Sequence, residues 1–231
     1  MTAPGTTAPA REVAIPAEDV VLPGTLALPE DAFAVVAFAH GSGSSRFSAR
    51  NRAVATALQQ AGLATLLVDL LLADEDAGGP GARFDIELLT RRLVAAVGWL
   101  AARTDTGALP VGLFGASTGA AAALGAAAAE PERIGAVVSR GGRPDLAMDV
   151  LAQVRAPTLL IVGGHDSHVL ALNRQAYERL GTEHEQELEK ELQIVAGAGH
   201  LFEEPGALEQ VAELAERWFL RHLRRAAPPR A

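Results

Sequence analysis

The chain contains no cysteine. That excludes disulfide scaffolds, thiolate metal sites, Fe–S clusters and a cysteine nucleophile. Aromatic residues are scarce, at 4%, while alanine makes up roughly a fifth of the 231 residues, so the core must be built from Leu, Val and Ala. Positive charge is also in deficit: 28 acidic residues face 20 basic ones, giving a net charge of −8 and a pI near 5.3. Phosphate contacts need clustered Lys and Arg, so a nucleic-acid partner is not expected. Long apolar runs are missing as well. The longest, 119–129, is mostly alanine and too short to span a bilayer. No membrane partner is expected, and without an apolar secretory segment at the start the default location is cytoplasmic.

What remains is a chain of one-domain length, 49% hydrophobic and 21% charged. Residues 1–10 (MTAPGTTAPA) read as a disordered lead-in, 11–224 as one domain, and 225–231 as a frayed tail. The basic residues near the end fit a helix C-terminus, where arginine complements the macrodipole. Short apolar runs alternate with helical patterns, which predicts an α/β fold with a mainly parallel sheet of about eight strands. Strands are expected at 12–15, 20–28, 34–39, 64–70, 110–114, 134–139, 157–162 and 193–196. Helices are expected at 50–61, 85–102, 117–130, 169–180 and 206–223, and a loop at 74–81.

The strongest local signal is Gly115-Ala116-Ser117-Thr118-Gly119, a G-x-S-x-G pentapeptide between the strand VGLF and an alanine-rich helix. A serine on such a strand-to-helix turn is forced out of the sheet edge, and its neighbours must be small. The pentapeptide alone is weak evidence in a chain with 23 glycines; its context strengthens it. A neutral serine hydroxyl needs a base, and the base needs a carboxylate to fix its tautomer. Candidates follow in the order acid, then histidine. Asp166 comes just past one expected strand, in GGHDSHV, and His200 just past the last, in GAGHLF. Each has a plainer reading: Asp166 as an N-cap for the next helix, and His200 as a solvent-facing loop residue.

An oxyanion hole would complete the site. One donor is expected from the Thr118 amide. The other is expected from the loop His40-Gly41-Ser42-Gly43-Ser44-Ser45-Arg46, at Ser42 or alternatively Gly41. That loop lacks the Lys-Ser/Thr ending of a phosphate-binding loop, and His40 reads as a residue orienting it. Arg140, Arg143 and Arg46 are candidates for holding an anionic substrate group. Pairing of Arg140 and Arg143 with nearby carboxylates such as Asp145 or Asp149 is the favoured alternative, and Arg50 is a weaker candidate.

HGSGSSR, GASTG, SRGGRPDL, GGHDSHV and GAGHLFEEPG together resemble the α/β-hydrolase superfamily, and within it the small dienelactone-hydrolase-like bacterial proteins, over about 20–223. The resemblance implies the α/β-hydrolase fold, helices on both sheet faces, and a serine hydrolase of small carboxylic esters or lactones with Ser117, Asp166 and His200 as its triad. Dienelactone hydrolases proper carry cysteine where this chain has Ser117, which favours an esterase. About 17 residues separate the strands at 134–139 and 157–162, leaving no room for a lid domain. No cofactor or metal is called for; the expected partner is a small-molecule ester, and monomer and homodimer both stay open. Two other readings remain: a non-catalytic binding domain on this fold, and acyl transfer or C–C hydrolysis by the same triad.

Overall fold

The structure is a computed structural model, and it describes residues 9–184 and 188–226. The strands are β1 (Ala10–Ala17), β2 (Val20–Ala27), β3 (Ala34–Ala39), β4 (Leu63–Val68), β5 (Val111–Ala116), β6 (Ile134–Arg140), β7 (Thr158–Gly163) and β8 (Lys190–Val195). The helices are α1 (Ala49–Gln60), α2 (Ala73–Ala77), α3 (Pro80–Arg83), α4 (Ile86–Ala101), α5 (Thr118–Ala129), α6 (Ser167–Arg179) and α7 (Ala207–Ala226). The strands form one sheet in the order β1-β2-β4-β3-β5-β6-β7-β8. β1 and β2 run antiparallel, and every pair from β4 to β8 is parallel.

Helices cover both faces, so β3, β4, β5 and β7 are buried at every position and read as unbroken apolar runs rather than alternating ones. One face packs under α4, α5 and α6, with Val35, Leu66, Leu93, Leu113, Ala123 and Leu160 among its core. The other packs under α1 and α7, with Phe38, Leu58, Phe114, Ile161, Val211 and Phe219. The two sheet aromatics Phe38 and Phe114 stack with ring centroids 4.8 Å apart.

α5 is alanine on nearly every turn and is buried all round from Thr118 to Ala127. A helix without large side chains can lie very close to a sheet, and this one does. A Cβ added at Gly119 would sit 2.2 Å from the Ala39 carbonyl oxygen and 2.5 Å from that of His40.

The sequence pattern and the structure differ in several places. The expected loop at 74–81 contains the short helices α2 and α3. Glu75 makes α2 possible: its carboxylate accepts the Leu72 amide at 2.8 Å and is gripped by both Nη atoms of Arg92, each at 2.6 Å. β8 starts at Lys190, not 193. Its polar stretch reads as loop, but it is an edge strand, where charge is tolerated, and Lys190 Nζ donates to the Tyr177 and Leu180 carbonyls at the end of α6. β1 begins at Ala10 and α7 runs to Ala226, inside the expected lead-in and tail. The rest of those two segments, 1–8 and 227–231, lies outside the described residues. Only two short 3-10 turns, Pro144–Ala147 and Leu151–Gln153, lie between β6 and β7, so no lid domain is inserted there. Among the described residues no helix is long and apolar enough to cross a membrane.

The contact of α5 with β3 is backbone on backbone, so nothing flexible can yield. Gly119→Ala should therefore destabilise the protein by about 2 kcal/mol or more, measured as a lower urea midpoint; an unchanged midpoint would show that the helix can move away.

Candidate active site

Ser117 is the residue between β5 and α5. It adopts φ 51° and ψ −119°, a left-handed conformation that costs a non-glycine residue about 1–3 kcal/mol. The surroundings hold it there. A Cβ at Gly115 would lie 2.4 Å from Ala120 Cα, so only glycine lets the strand turn into the helix this tightly. The Ser117 amide donates to the Arg140 carbonyl at 3.3 Å, and its own carbonyl accepts the Arg143 amide at 3.0 Å. The elbow is thus pinned to the end of β6.

Asp166 occupies the N-cap position of α6, yet its side chain makes no capping hydrogen bond. It turns away from the helix, and Oδ2 lies 2.6 Å from His200 Nδ1. Asp166 thus takes the cap position without capping. The carboxylate is 14% exposed and the imidazole 38%, so the histidine has one side held by a half-buried acid and the other open. With Nδ1–H donated to Asp166, Nε2 is the free basic nitrogen.

The His200 loop is held from both sides. Glu204 accepts the Gly199 amide at 2.9 Å, which lowers its pKa as part of a set of backbone hydrogen bonds to its carboxylate. On the β6 side, a Cβ at Gly141 would sit 3.1 Å from the His200 carbonyl oxygen and 3.6 Å from His200 Cε1. Gly141 directly follows Arg140, which receives the Ser117 amide, so the serine and histidine segments meet on this one stretch of chain. Asn173, fully buried on α6, fastens it by donating to the Gly142 carbonyl at 2.9 Å.

The loop after β3 closes over the elbow. A Cβ at Gly41 would lie 3.0 Å from Ser117 Cβ. The Ser42 amide, expected to face a substrate oxygen, donates to Thr118 Oγ1 at 2.9 Å. In this conformation Ser42 is occupied; Gly41 makes no amide hydrogen bond among the described residues. The Thr118 amide is in the first turn of α5, where no intrahelical acceptor exists.

His40 lies with Nδ1 3.0 Å from the Gly41 carbonyl and Nε2 3.7 Å from Asp69 Oδ1. Asp69 also takes the Arg46 side chain and amide, and Arg46 reaches on to Glu12 at 3.1 Å. These residues brace the loop. Arg46 is therefore committed to two carboxylates, and Arg143 is bidentate with Asp145 at 2.8 Å for both bonds. Neither is free to clamp a substrate in this arrangement. Among the described residues Arg140 has no such partner. A cleft of about 370 Å³ runs between this loop and α2, with His40, Ser45, Phe47, Leu71 and Ala73 in its wall. Among the described residues no group of three or more His, Asp or Glu is arranged to hold a metal ion.

Sequence reasoning missed Asp69, Glu204 and Asn173. Asn173 left a signal, a polar residue on the buried stripe of α6 between Val169 and Ala176. Asp69 and Glu204 left none, since acidic residues near loops are ordinary.

A sequence model of the dienelactone hydrolase family matches residues 22–225. Two proteins of Mycobacterium tuberculosis strains, each called a putative phosphoribosyl transferase, are 56% identical over 212 residues; the match covers 92% of this chain and 46% of theirs. This chain thus spans about half the length of those relatives. The crystal structure of a dienelactone hydrolase from Anabaena variabilis is 53% identical, covers 94% of this chain and 100% of its own, and superposes with a TM-score of 0.89. An esterase of Pyrococcus furiosus shares the fold at 20% identity, with a TM-score of 0.74 over 93% of this chain and 92% of its own.

The Glu75–Arg92 pair supports α2, one wall of the cleft. Hydrogen bonding to Arg92 holds the Glu75 carboxyl below its usual 4.5. A lowered carboxyl stabilises the fold fully above its unfolded value and loses that contribution as pH falls through the folded one. Glu75→Gln should cost about 2 kcal/mol at pH 7. The gap to the parent should close as pH drops below 4.5 in urea melts at a series of pH values; a gap independent of pH would contradict the pairing.

Proposed function

The chain belongs to the dienelactone hydrolase family and has the α/β-hydrolase fold, and from that premise we propose that it is a serine hydrolase of small carboxylic esters or lactones. The observation that carries the reading is the Asp166–His200 bond of 2.6 Å, made by a carboxylate that forgoes the helix cap it could supply. It sits on the same sheet edge as a serine held at positive φ.

In this reaction Ser117 Oγ attacks the acyl carbon while His200 Nε2 takes its proton. Asp166 keeps the proton on Nδ1 and stabilises the imidazolium. The carbonyl oxygen, now an oxyanion, is held by the Thr118 amide and by the loop after β3. Gly41 offers an amide there without rearrangement; Ser42 does so once the oxyanion displaces Thr118 Oγ1 from it. The tetrahedral intermediate collapses, and His200 returns the proton to the departing alkoxide. Water then enters and attacks the acyl carbon as His200 takes one of its protons. The second tetrahedral intermediate collapses, the bond to Ser117 Oγ breaks, and His200 returns the proton to Oγ as the acid leaves.

The absence of an insertion between β6 and β7 favours small substrates. Phe47 and Leu201, each beside a site residue and substantially exposed, offer apolar surface to the substrate's hydrocarbon. Serine in place of the family's usual cysteine favours esters over the family's namesake lactone. The name carried by the mycobacterial relatives belongs to proteins twice as long and is not transferred to this chain.

Hydrolysis of p-nitrophenyl esters from acetate to decanoate tests the proposal. Short chains should be preferred, and Ser117→Ala should reduce kcat by at least about a thousandfold. A fluorophosphonate should label Ser117 and nothing else. If no ester is turned over in a Ser117-dependent way and no label attaches, the chain is a binding domain on this fold.

A further inference from the structure

Arg140 closes β6 on the α1–α7 face, above the ring of Phe114, whose centroid is 5.9 Å from its guanidinium carbon. It is only 8% exposed. Among the described residues its side chain makes no hydrogen bond and no ion pair, and Nη1 is fully buried without a partner. Other half-buried or buried arginines here are matched with carboxylates: Arg46 with Asp69, Arg92 with Glu75, Arg103 with Asp105 and Arg143 with Asp145. Burial, and then repulsion by nearby Arg50, push the pKa of Arg140 down to about 10. It stays cationic at neutral pH. A desolvated cation with no counter-charge is costly, and a buried donor without an acceptor calls for a reason.

The second cation is Arg50, in the first turn of α1. Its Nε is also buried and unpaired, while Nη1 reaches the exposed Glu203 at 3.0 Å. That first turn carries no acidic residue, so the positive end of the helix dipole adds to the field. Arg140 lies near enough to Arg50 to be repelled by it, and the one carboxylate paired with either among the described residues is the exposed Glu203, on Arg50. The location is functional: Arg140 supplies the carbonyl that holds the Ser117 amide, and the next residue packs on His200.

We infer that Arg140 and Arg50 form an anion subsite beside Ser117 and His200, suited to a phosphomonoester carried by the substrate. A carboxylate would satisfy Arg140 alone. A phosphate dianion supplies both the second charge and the extra oxygens that two guanidiniums from different elements can share. The assignment to a substrate rests on the proposed ester hydrolysis; the binding of the anion does not.

Inorganic phosphate and acetate are titrated calorimetrically into the Ser117→Ala protein. One phosphate per chain is expected, with acetate at least tenfold weaker. Arg140→Gln and Arg50→Gln should each weaken phosphate at least tenfold, and Arg140→Lys should restore part of the loss; circular dichroism checks that each variant is folded. Absence of saturable phosphate binding, binding that survives Arg140→Gln, or acetate binding as tightly as phosphate each overturns the subsite. In the Ser117 protein, Arg140→Gln should lower kcat/KM for 4-phosphonooxyphenyl acetate at least tenfold more than for phenyl acetate, and equal losses overturn the link to the substrate. Fluorophosphonate labelling without phosphate binding removes the subsite and leaves the hydrolase; phosphate binding without labelling upholds the subsite and removes the hydrolase.

Discussion

The backbone contact between α5 and the sheet is the constraint on which the site depends. Gly119 presses on the carbonyls at the end of β3, and Gly115 presses on Ala120. Between these two contacts Ser117 has no conformation left except a left-handed one. The strain at Ser117 is therefore not local. It is sustained by a helix with almost no side-chain volume, wedged between the sheet and α4. The scarcity of aromatics and the excess of alanine, noticed first as composition, follow from that geometry: a bulkier helix would stand off and release the turn.

From the elbow, support spreads outward through polar groups rather than through the core. Asn173 ties the stretch after β6 to α6, Glu204 ties the His200 loop to its own amides, and Asp69 ties Arg46 and the loop after β3. Each is a carboxylate or amide satisfying backbone N–H or C=O groups in a segment without regular structure. Arg140 departs from this pattern. Its charge meets no carboxylate among the described residues, beside the serine and histidine segments.

Much of this was legible in the sequence. Apolar runs such as AVVAFA mark buried parallel strands, and GASTG between strand and helix marks the elbow. Asp166 and His200 could be proposed because parallel strands all end on one edge, so loops far apart in sequence converge there. What could not be read was pairing. The favoured pairing with a local carboxylate holds for Arg143, which finds Asp145, and fails for Arg140, which finds no carboxylate among the described residues. The N-cap position of Asp166 was visible, but not that its side chain declines the cap. The Ser42 amide was expected to be open, and only the fold brings Thr118 Oγ1 against it. α2 was invisible because its stability comes from Arg92 on a different helix.

The register of β7 and β8 has a consequence for how the protein fails. Gly163 pairs with Val195, and that single alignment sets the heights at which Asp166 and His200 leave their strands. β8 is an edge strand with one neighbour in the sheet, and most of its residues are only half-buried. Edge elements open at lower free energy than the centre of a sheet. A fluctuation that lifts β8 separates the histidine from its carboxylate while β3, β5 and α5 stay intact. The histidine thus follows an edge strand, while its carboxylate and the serine follow strands that are buried at every position. The pairing of His200 therefore depends on an element that can open locally without unfolding the body of the domain.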